Sequence, residues 1–366
     1  MDDFKYTAIV QWAKKKIDED GMVAGDRFFS ELQLCRIHKV SRQTVRQALA
    51  LLESEGIIWR RQGSGAFVQA PGRDLVKRSS TVGVISTYFS DYIFPGIVTG
   101  IEHVLAKNNI TMQLATTRNQ VEEEARALQT MLGQNIKGLI VEPSKSALPN
   151  PNSALYDEIR ARNVPLVFFN AKYPYSNFPV VAMDDVNAGY IVTKHLVSLG
   201  HRKISAILLS DDMQGHKRYQ GFLRSLNENH IPMGEQRVVW FSTQERSAFF
   251  QVSEEKIREL LADSTAIVCY NDAVAVDLLG FCRREGIDVP GQLSIVGIDD
   301  SKQARICEVP LTTVRHPQQQ LGERAAEVLL EIMDKPAVTT EDVLYAPKLI
   351  IRQSSAAPYT EKSIKT

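Results

Sequence analysis

No stretch of the chain is apolar for the roughly twenty residues that a membrane-spanning helix needs, so a membrane protein is not expected. Cysteine is scarce: Cys35, Cys269, Cys282 and Cys307 stand apart, none at a CxxC or other ligand spacing. Thiols so placed, in apolar or helical surroundings, predict reduced, buried side chains and no metal site. The opening Met1-Asp2-Asp3-Phe4-Lys5 is acidic and runs into Lys14-Lys15-Lys16, without the apolar core of an export signal, so a cytoplasmic location is expected. Catalytic signatures are missing too. There is no GxxxxGK[ST] loop for a sugar kinase, no HExxH and no GxSxG elbow, and Gly63-Ser64-Gly65 falls between two strand-like runs. Neither an enzyme nor a bound cofactor is expected.

What is present is a globular composition, 44% hydrophobic and 23% charged, over 366 residues. That length calls for two or three folded units. Lys plus Arg and Asp plus Glu both number 43, and the balance hides an asymmetry. Arg36, Lys39, Arg42, Arg46, Arg60, Arg61, Arg73, Lys77 and Arg78 face only Glu53, Glu55 and Asp74 in the same span. A basic stretch is commonly just a solvated face, so charge alone leaves a polyanion site as one of two readings.

The residue pattern within that span narrows the choice. Tyr6, Ile9, Val10, Ala13 and Ile17 form one apolar face of a first helix, ended by Gly21 and Gly25. Ser30-Glu31-Leu32-Gln33 has the form of a capping box and opens a short second helix. Ser41 can cap a third, with Val45, Ala48, Leu49 and Leu52 as its inner stripe. Gln43, Arg46 and Gln47 then project from the opposite face, with Arg42 on its flank. Arg can fork onto guanine or phosphate and Gln can pair with adenine, so this face suits a major groove. Two β-rich runs follow around the Gly-Ser-Gly tip, predicting a hairpin whose glycines allow close approach to a phosphate or groove edge, with Arg60, Arg61 and Gln62 beside it.

This order, with Val40-Ser41-Arg42-Gln43-Thr44-Val45-Arg46-Gln47-Ala48-Leu49 and Arg61-Gln62-Gly63-Ser64-Gly65-Ala66-Phe67-Val68, resembles the GntR-type winged helix-turn-helix over roughly residues 4 to 70. The resemblance implies a DNA-binding head at 1–70 with Ser41, Arg42, Gln43, Thr44, Arg46, Gln62 and Gly63 toward DNA. One departure lies in the second helix. There Cys35-Arg36-Ile37-His38-Lys39 replaces the family's small residue, aromatic and glycine. Residues 71–80, with Pro71, Gly72 and a serine pair, have no apolar period and read as a linker.

From Thr81 short Val/Ile-rich runs alternate with helical segments: 82–86, 111–116, 138–142, 164–170, 204–209, 238–241, 266–270 and 293–298. Such alternation makes parallel sheets wrapped by helices, and the length requires two doubly wound α/β lobes. Ligands of such folds sit at the carboxyl ends of the strands. Those ends carry Tyr88, Tyr92, Glu142, Lys145, Asn170, Arg218, Asn271-Asp272 and Asp299-Asp300. Planar polar groups and aromatics together suit an uncharged polyol, although any one carboxylate or amide after a strand is as readily a helix cap.

Residues 185–189, 195–204, 218–222, 270–272, 296–300 and 310–314, among them Asp185-Val186-Asn187-Ala188-Gly189 and Val296-Gly297-Ile298-Asp299-Asp300, resemble the LacI/GalR effector domain. That fold is similar to periplasmic sugar-binding proteins. The resemblance covers 81–354, leaving 355–366 as a tail, and implies a cleft lined by Tyr88, Tyr92, Glu142, Asn170, Arg218, Asn271, Asp299 and His316. The family's own headpiece and hinge helix are absent. A GntR head on such a body resembles the arabinose-utilisation repressors of Gram-positive bacteria, extending to 87–95, 138–148 and 349–354. This implies L-arabinose as effector, a homodimer on near-palindromic operator DNA, and Lys5, Arg46 and Gln62 as DNA contacts. Two rivals compare poorly. A GntR head fused to an aminotransferase needs a larger, lysine-centred cofactor domain, and a transport binding protein needs an export signal and no head.

Overall fold

The computed structural model describes residues 3–23, 25–54, 56–61, 65–69, 80–89, 92–134, 136–335 and 341–359. The chain divides into two compact units, one up to Ser80 and the other from Thr81. In the first, α1 (Asp3–Glu19), α2 (Glu31–His38) and α3 (Arg42–Ser54) precede an antiparallel pair, β1 (Ile58–Arg61) and β2 (Gly65–Val68). The stripe Val45, Ala48, Leu49 and Leu52 is at most 2% exposed and packs with Ile9, Val10, Ala13 and Leu34. Burial of each larger member contributes about 1.5–3 kcal/mol, enough for this small core to fix three short helices.

Local chemistry sets the turns. Ser30 accepts from the Gln33 N–H while the Gln33 side chain accepts from the Ser30 N–H, closing the capping box. Lys39, where the resembled family has glycine, takes the left-handed conformation at φ 50° and ends α2. Trp59 and Phe67 stack across the hairpin with ring centroids 4.8 Å apart. Residues 62–64 and the proposed linker apart from Ser80 lie outside the described residues.

The second unit has two lobes. One carries six strands in the order β13-β7-β6-β5-β3-β4: β3 (Ser80–Ser86), β4 (Ile110–Thr116), β5 (Gly138–Val141), β6 (Leu166–Phe169), β7 (Val180–Met183) and β13 (Val343–Tyr345). The other carries β11-β10-β8-β9, all parallel: β8 (Ile204–Leu209), β9 (Val238–Phe241), β10 (Ala266–Cys269) and β11 (Ser294–Val296). A ribbon of β12 (Thr313–Arg315) and β14 (Lys348–Ile350) is bridged to this second lobe at Thr312 and Arg315. The fully buried strands read as continuous apolar runs, as parallel strands covered on both faces must.

The chain passes between the lobes near Asp184, near Pro317 and at 346–347. Strands β7, β12, β13 and β14 were not expected. Each has only three or four residues and holds its conformation by pairing with distant partners, which leaves little local signal. The segment expected to be a tail begins in contact: Ser355 bonds His195 and Thr312, and the Ala356 carbonyl accepts from His201 and Ser294.

One helix crossing matters for the site. A Cβ at Gly189 would lie 2.1 Å from the Arg218 carbonyl oxygen, and one at Gly221 would lie 1.9 Å from that of Val186. Only glycine at both lets helices Asp185–Ser198 and Met213–Glu228 come this close, and their approach sets Arg218 beside Asp185.

Candidate functional site

The head presents a polar face on α3. Arg42, Gln43 and Arg46 are exposed, opposite the buried stripe. Ser41 is exposed and caps α3 as expected, whereas Thr44 is buried. The Ser41 hydroxyl accepts from the Thr44 N–H at 3.2 Å and bonds its hydroxyl at 2.9 Å, and Thr44 is 7% exposed. The pair caps the helix. Lys5 starts α1, although its side chain is not described, and Gln62 and Gly63 lie outside the described residues. Arg60 on the wing pairs with Glu53 on α3 at 2.5 Å.

In the second unit a cavity of about 260 Å³ opens between the lobes. Tyr88, Tyr92, Glu142, Asn170, Arg218, Asn271 and Asp299 line it, as expected from the strand ends. Lys145 and His316 do not. Lys145 sits in a turn at φ 46° with its N–H on Asn119 Oδ1, and His316 is 3% exposed. Burial, with the Arg218 charge, pulls the His316 imidazole down to about 3, so it is neutral near pH 7, and neither ring nitrogen has a partner.

Arg218 is the electrostatic centre. It is 2% exposed and donates from Nε to Asp185 Oδ1 at 2.8 Å and from Nη1 to the Tyr270 carbonyl at 2.6 Å, while Nη2 stands 3.5 Å from Asp299 Oδ1. Its guanidinium also lies over the Tyr270 ring, 4.8 Å from the centroid. Burial raises Asp299 to about 6, opposed by Arg218 and the Tyr92 hydrogen bond, and burial beside Asp299 raises Asp272 to about 7. Glu142, raised by burial, accepts from Ser86, Thr87 and Asn170. Among the described residues that line the cavity, Asn170 Oδ1 and Asp299 Oδ1 are buried acceptors without a hydrogen bond. Both residues, and Tyr92, sit at positive φ (61°, 117° and 61°), a strained conformation for non-glycine residues that clusters at binding sites.

The lobes meet around this cavity. The Tyr92 hydroxyl donates to Asp299 Oδ2 at 2.6 Å and accepts from the Asp272 N–H, Asn119 Nδ2 donates to Thr243 Oγ1 at 2.6 Å, and the Ser146 hydroxyl donates to Asp212 at 2.8 Å. Thr87, Asn119, Asp212, Thr243, Arg246 and Tyr270 also line the cavity and were not singled out from sequence. Asn119, Asp212 and Thr243 each lie two or three residues after a strand, so the strand-end rule applied to β4, β8 and β9 would have found them. Asn271 Oδ1, by contrast, caps the helix that follows it, at 3.1 Å from the Val274 N–H.

Residues 5–68 match the gntR family of bacterial regulatory proteins, and residues 193–355 match a periplasmic binding protein-like domain. The chain is 38% identical to the arabinose metabolism transcriptional repressor of Geobacillus stearothermophilus, covering 96% of this chain and 97% of that protein. It is 36% identical to the repressor of the same description from Halalkalibacterium halodurans, over 98% and 99% of the two. Among solved structures, the transcription regulator CcpA of Lactococcus lactis superposes with a TM-score of 0.68 at 26% identity, over 76% of this chain and 100% of that one.

Proposed function

The chain belongs to the arabinose metabolism transcriptional repressors, and we propose that the sugar to which it responds is L-arabinose, taken up between the lobes of the second unit. It is a DNA-binding transcriptional repressor with a sugar-binding effector domain, and not an enzyme. No helix among the described residues is long and apolar enough to cross a membrane. The cytoplasm is the compartment proposed for it, and a homodimer on a near-palindromic operator is the proposed assembly, since one short reading helix per half-site gives too few base contacts for discrimination.

The observation that carries the effector reading is a pair of buried acceptors without a hydrogen bond, Asn170 Oδ1 and Asp299 Oδ1, the latter 3.5 Å from Arg218 Nη2, in a small cavity with aromatic walls. Buried acceptors without a donor are costly, and hydroxyls of an uncharged sugar supply donors without adding charge. In this reading Arg218 donates from Nη2, Glu142 and Asn170 fix further hydroxyls, and the Tyr88 and Phe94 rings pack on the C–H face. A ligand touching both lobes favours the closed arrangement by its differential contacts, and closure shifts the operator-binding form out of favour. By linkage, sugar weakens DNA binding by the factor with which DNA weakens sugar binding. On the head, Lys5, Arg42, Gln43, Arg46, Gln62 and Gly63 are the proposed DNA contacts, with Ser41 and Thr44 holding the start of α3. Calorimetry with L-arabinose and its pentose stereoisomers tests the effector. Saturable binding tightest for L-arabinose is expected; no heat with it, or tighter binding of another pentose, removes the assignment.

A further inference from the structure

The turn 144–146 follows β5 of one lobe and reaches the other. Its base is fixed by Glu124, a fully buried residue in the first turn of the helix Val121–Leu132. Glu124 accepts from the Ser144 N–H at 2.6 Å and from the hydroxyls of Tyr156 and Tyr173 at 3.0 and 2.9 Å. The Ser144 hydroxyl donates to Thr117, and the Lys145 N–H to Asn119 Oδ1. So held, the turn presents Ser146, 1% exposed, to the start of the helix Met213–Glu228. The Ser146 hydroxyl donates to Asp212 Oδ1 at 2.8 Å and accepts from the Met213 N–H at 2.9 Å.

The first N–H groups of a helix have no partner within it. Here Asp212 accepts from the Gln214 N–H, whereas the Met213 N–H is taken by a residue of the opposite lobe. The helix so capped carries Gln214 and Arg218 into the cavity wall. Two other side-chain contacts between the lobes, Tyr92 with Asp299 and Asn119 with Thr243, join residues that line the cavity. Ser146 is not among the lining residues, so it favours closure without touching a ligand. One of its bonds ends on a carboxylate, and hydrogen bonds to charged groups contribute more than neutral ones. We propose that Ser146 is a positioning residue for effector recognition. From the opposite lobe it caps the helix that carries Arg218, so that closing the cleft and aligning Arg218 are one step, and it thereby sets the sugar concentration at which DNA is released. The proposal rests on the reading of this cavity as the effector site.

The test uses the full-length protein, L-arabinose and the pentose stereoisomer that binds next most tightly. DNA affinity is read at fixed salt on a duplex selected from a random pool by the wild-type protein, with a scrambled duplex of equal length as control. Ser146→Ala removes both bonds and is expected to weaken the two sugars by the same factor, about tenfold, and to raise the releasing concentration alike. By linkage its affinity for the selected duplex without sugar is undiminished, a split that general damage to the fold would not give. Amide exchange supplies the direct reading. Saturating L-arabinose should slow exchange of the Met213 N–H at least about tenfold in the wild type, and not in the variant. Equal sugar affinities for wild type and variant, a changed ratio between the two sugars, or a Met213 N–H equally protected with and without sugar overturns the proposal. A wild type whose duplex affinity responds to neither sugar removes the cavity reading, and the role of Ser146 with it. A wild type that responds while Ser146→Ala matches it removes the role of Ser146 alone.

Discussion

Arg46 and Arg218 are each held by one carboxylate through Nε, Glu31 in the first case and Asp185 in the second, yet their surroundings are opposite. Arg46 is 65% exposed, and Arg218 is 2% exposed with Asp185 fully buried. Water around Arg46 screens its pair, so the guanidinium can exchange neighbours for little free energy, which suits a group that meets DNA only part of the time. Around Arg218 no such exchange is open. Glycines at 189 and 221 bring the two helices together, Tyr270 covers the guanidinium, and every polar neighbour is already committed or waiting. The head keeps its chemistry adjustable, whereas the effector unit fixes it before the ligand arrives.

That contrast can be broken most easily at Arg218. Arg218→Ala leaves Asp185 and Asp299 buried without a counter-charge and is expected to cost about 3–5 kcal/mol of stability. Urea unfolding of the second unit measures it, and Arg46→Ala in the same assay should shift stability by less than about 1 kcal/mol. Equal small shifts for both would erase the distinction between the two arginines.

Asp299 sharpens the comparison through pH. Its folded value of about 6 is raised by burial, so the fold prefers the neutral acid, and the stability gained is present below the unfolded value near 4 and lost as pH rises through 6. Sugar hydroxyls that donate to the carboxylate prefer the ionised form. Affinity for L-arabinose should therefore be level above pH 7 and weaken by up to about tenfold per unit below pH 6, as followed by calorimetry. Asp299→Asn should lose about 1.5–3 kcal/mol of binding and most of this pH dependence. Affinity that rises on acidification would contradict the assignment of Asp299 as an acceptor.

On the head, Arg46→Ala is expected to cost about 1–3 kcal/mol of operator discrimination while leaving the sugar affinity untouched. A gel shift at fixed salt with the selected and scrambled duplexes reads it. A loss equal on both duplexes would make Arg46 a phosphate contact instead of a base reader.

Much of this was legible in the sequence, for reasons that can be named. The stripe Val45, Ala48, Leu49 and Leu52 announces α3 because helix period and burial coincide, and the Val/Ile runs announce the parallel strands because they are buried on both faces. Seven of the nine expected cleft residues line one cavity because strand ends converge in such sheets. What the sequence withheld is partnership across distance. Asp185 stands in a recognisable motif, but nothing local tells that it holds Arg218, thirty-three positions on. Lys145 reads as a strand-end polar group and His316 enters through the family resemblance, yet neither is among the residues that line the cavity: Lys145 sits in a turn at φ 46° and His316 is buried. Thr44 reads as an open residue of the recognition helix, whereas it is 7% exposed and its hydroxyl bonds that of Ser41.

The most direct test of the account is operator affinity with and without saturating L-arabinose, measured for the wild type and for Asn170→Ala, whose lost amide leaves Arg218 and its partners in place. The wild type should release the operator with sugar, and the variant should bind operator as tightly without sugar but need at least about tenfold more of it for release. Release of the variant at the wild-type sugar concentration, or a wild type indifferent to L-arabinose, would contradict the cavity between the lobes as the place where the effector acts.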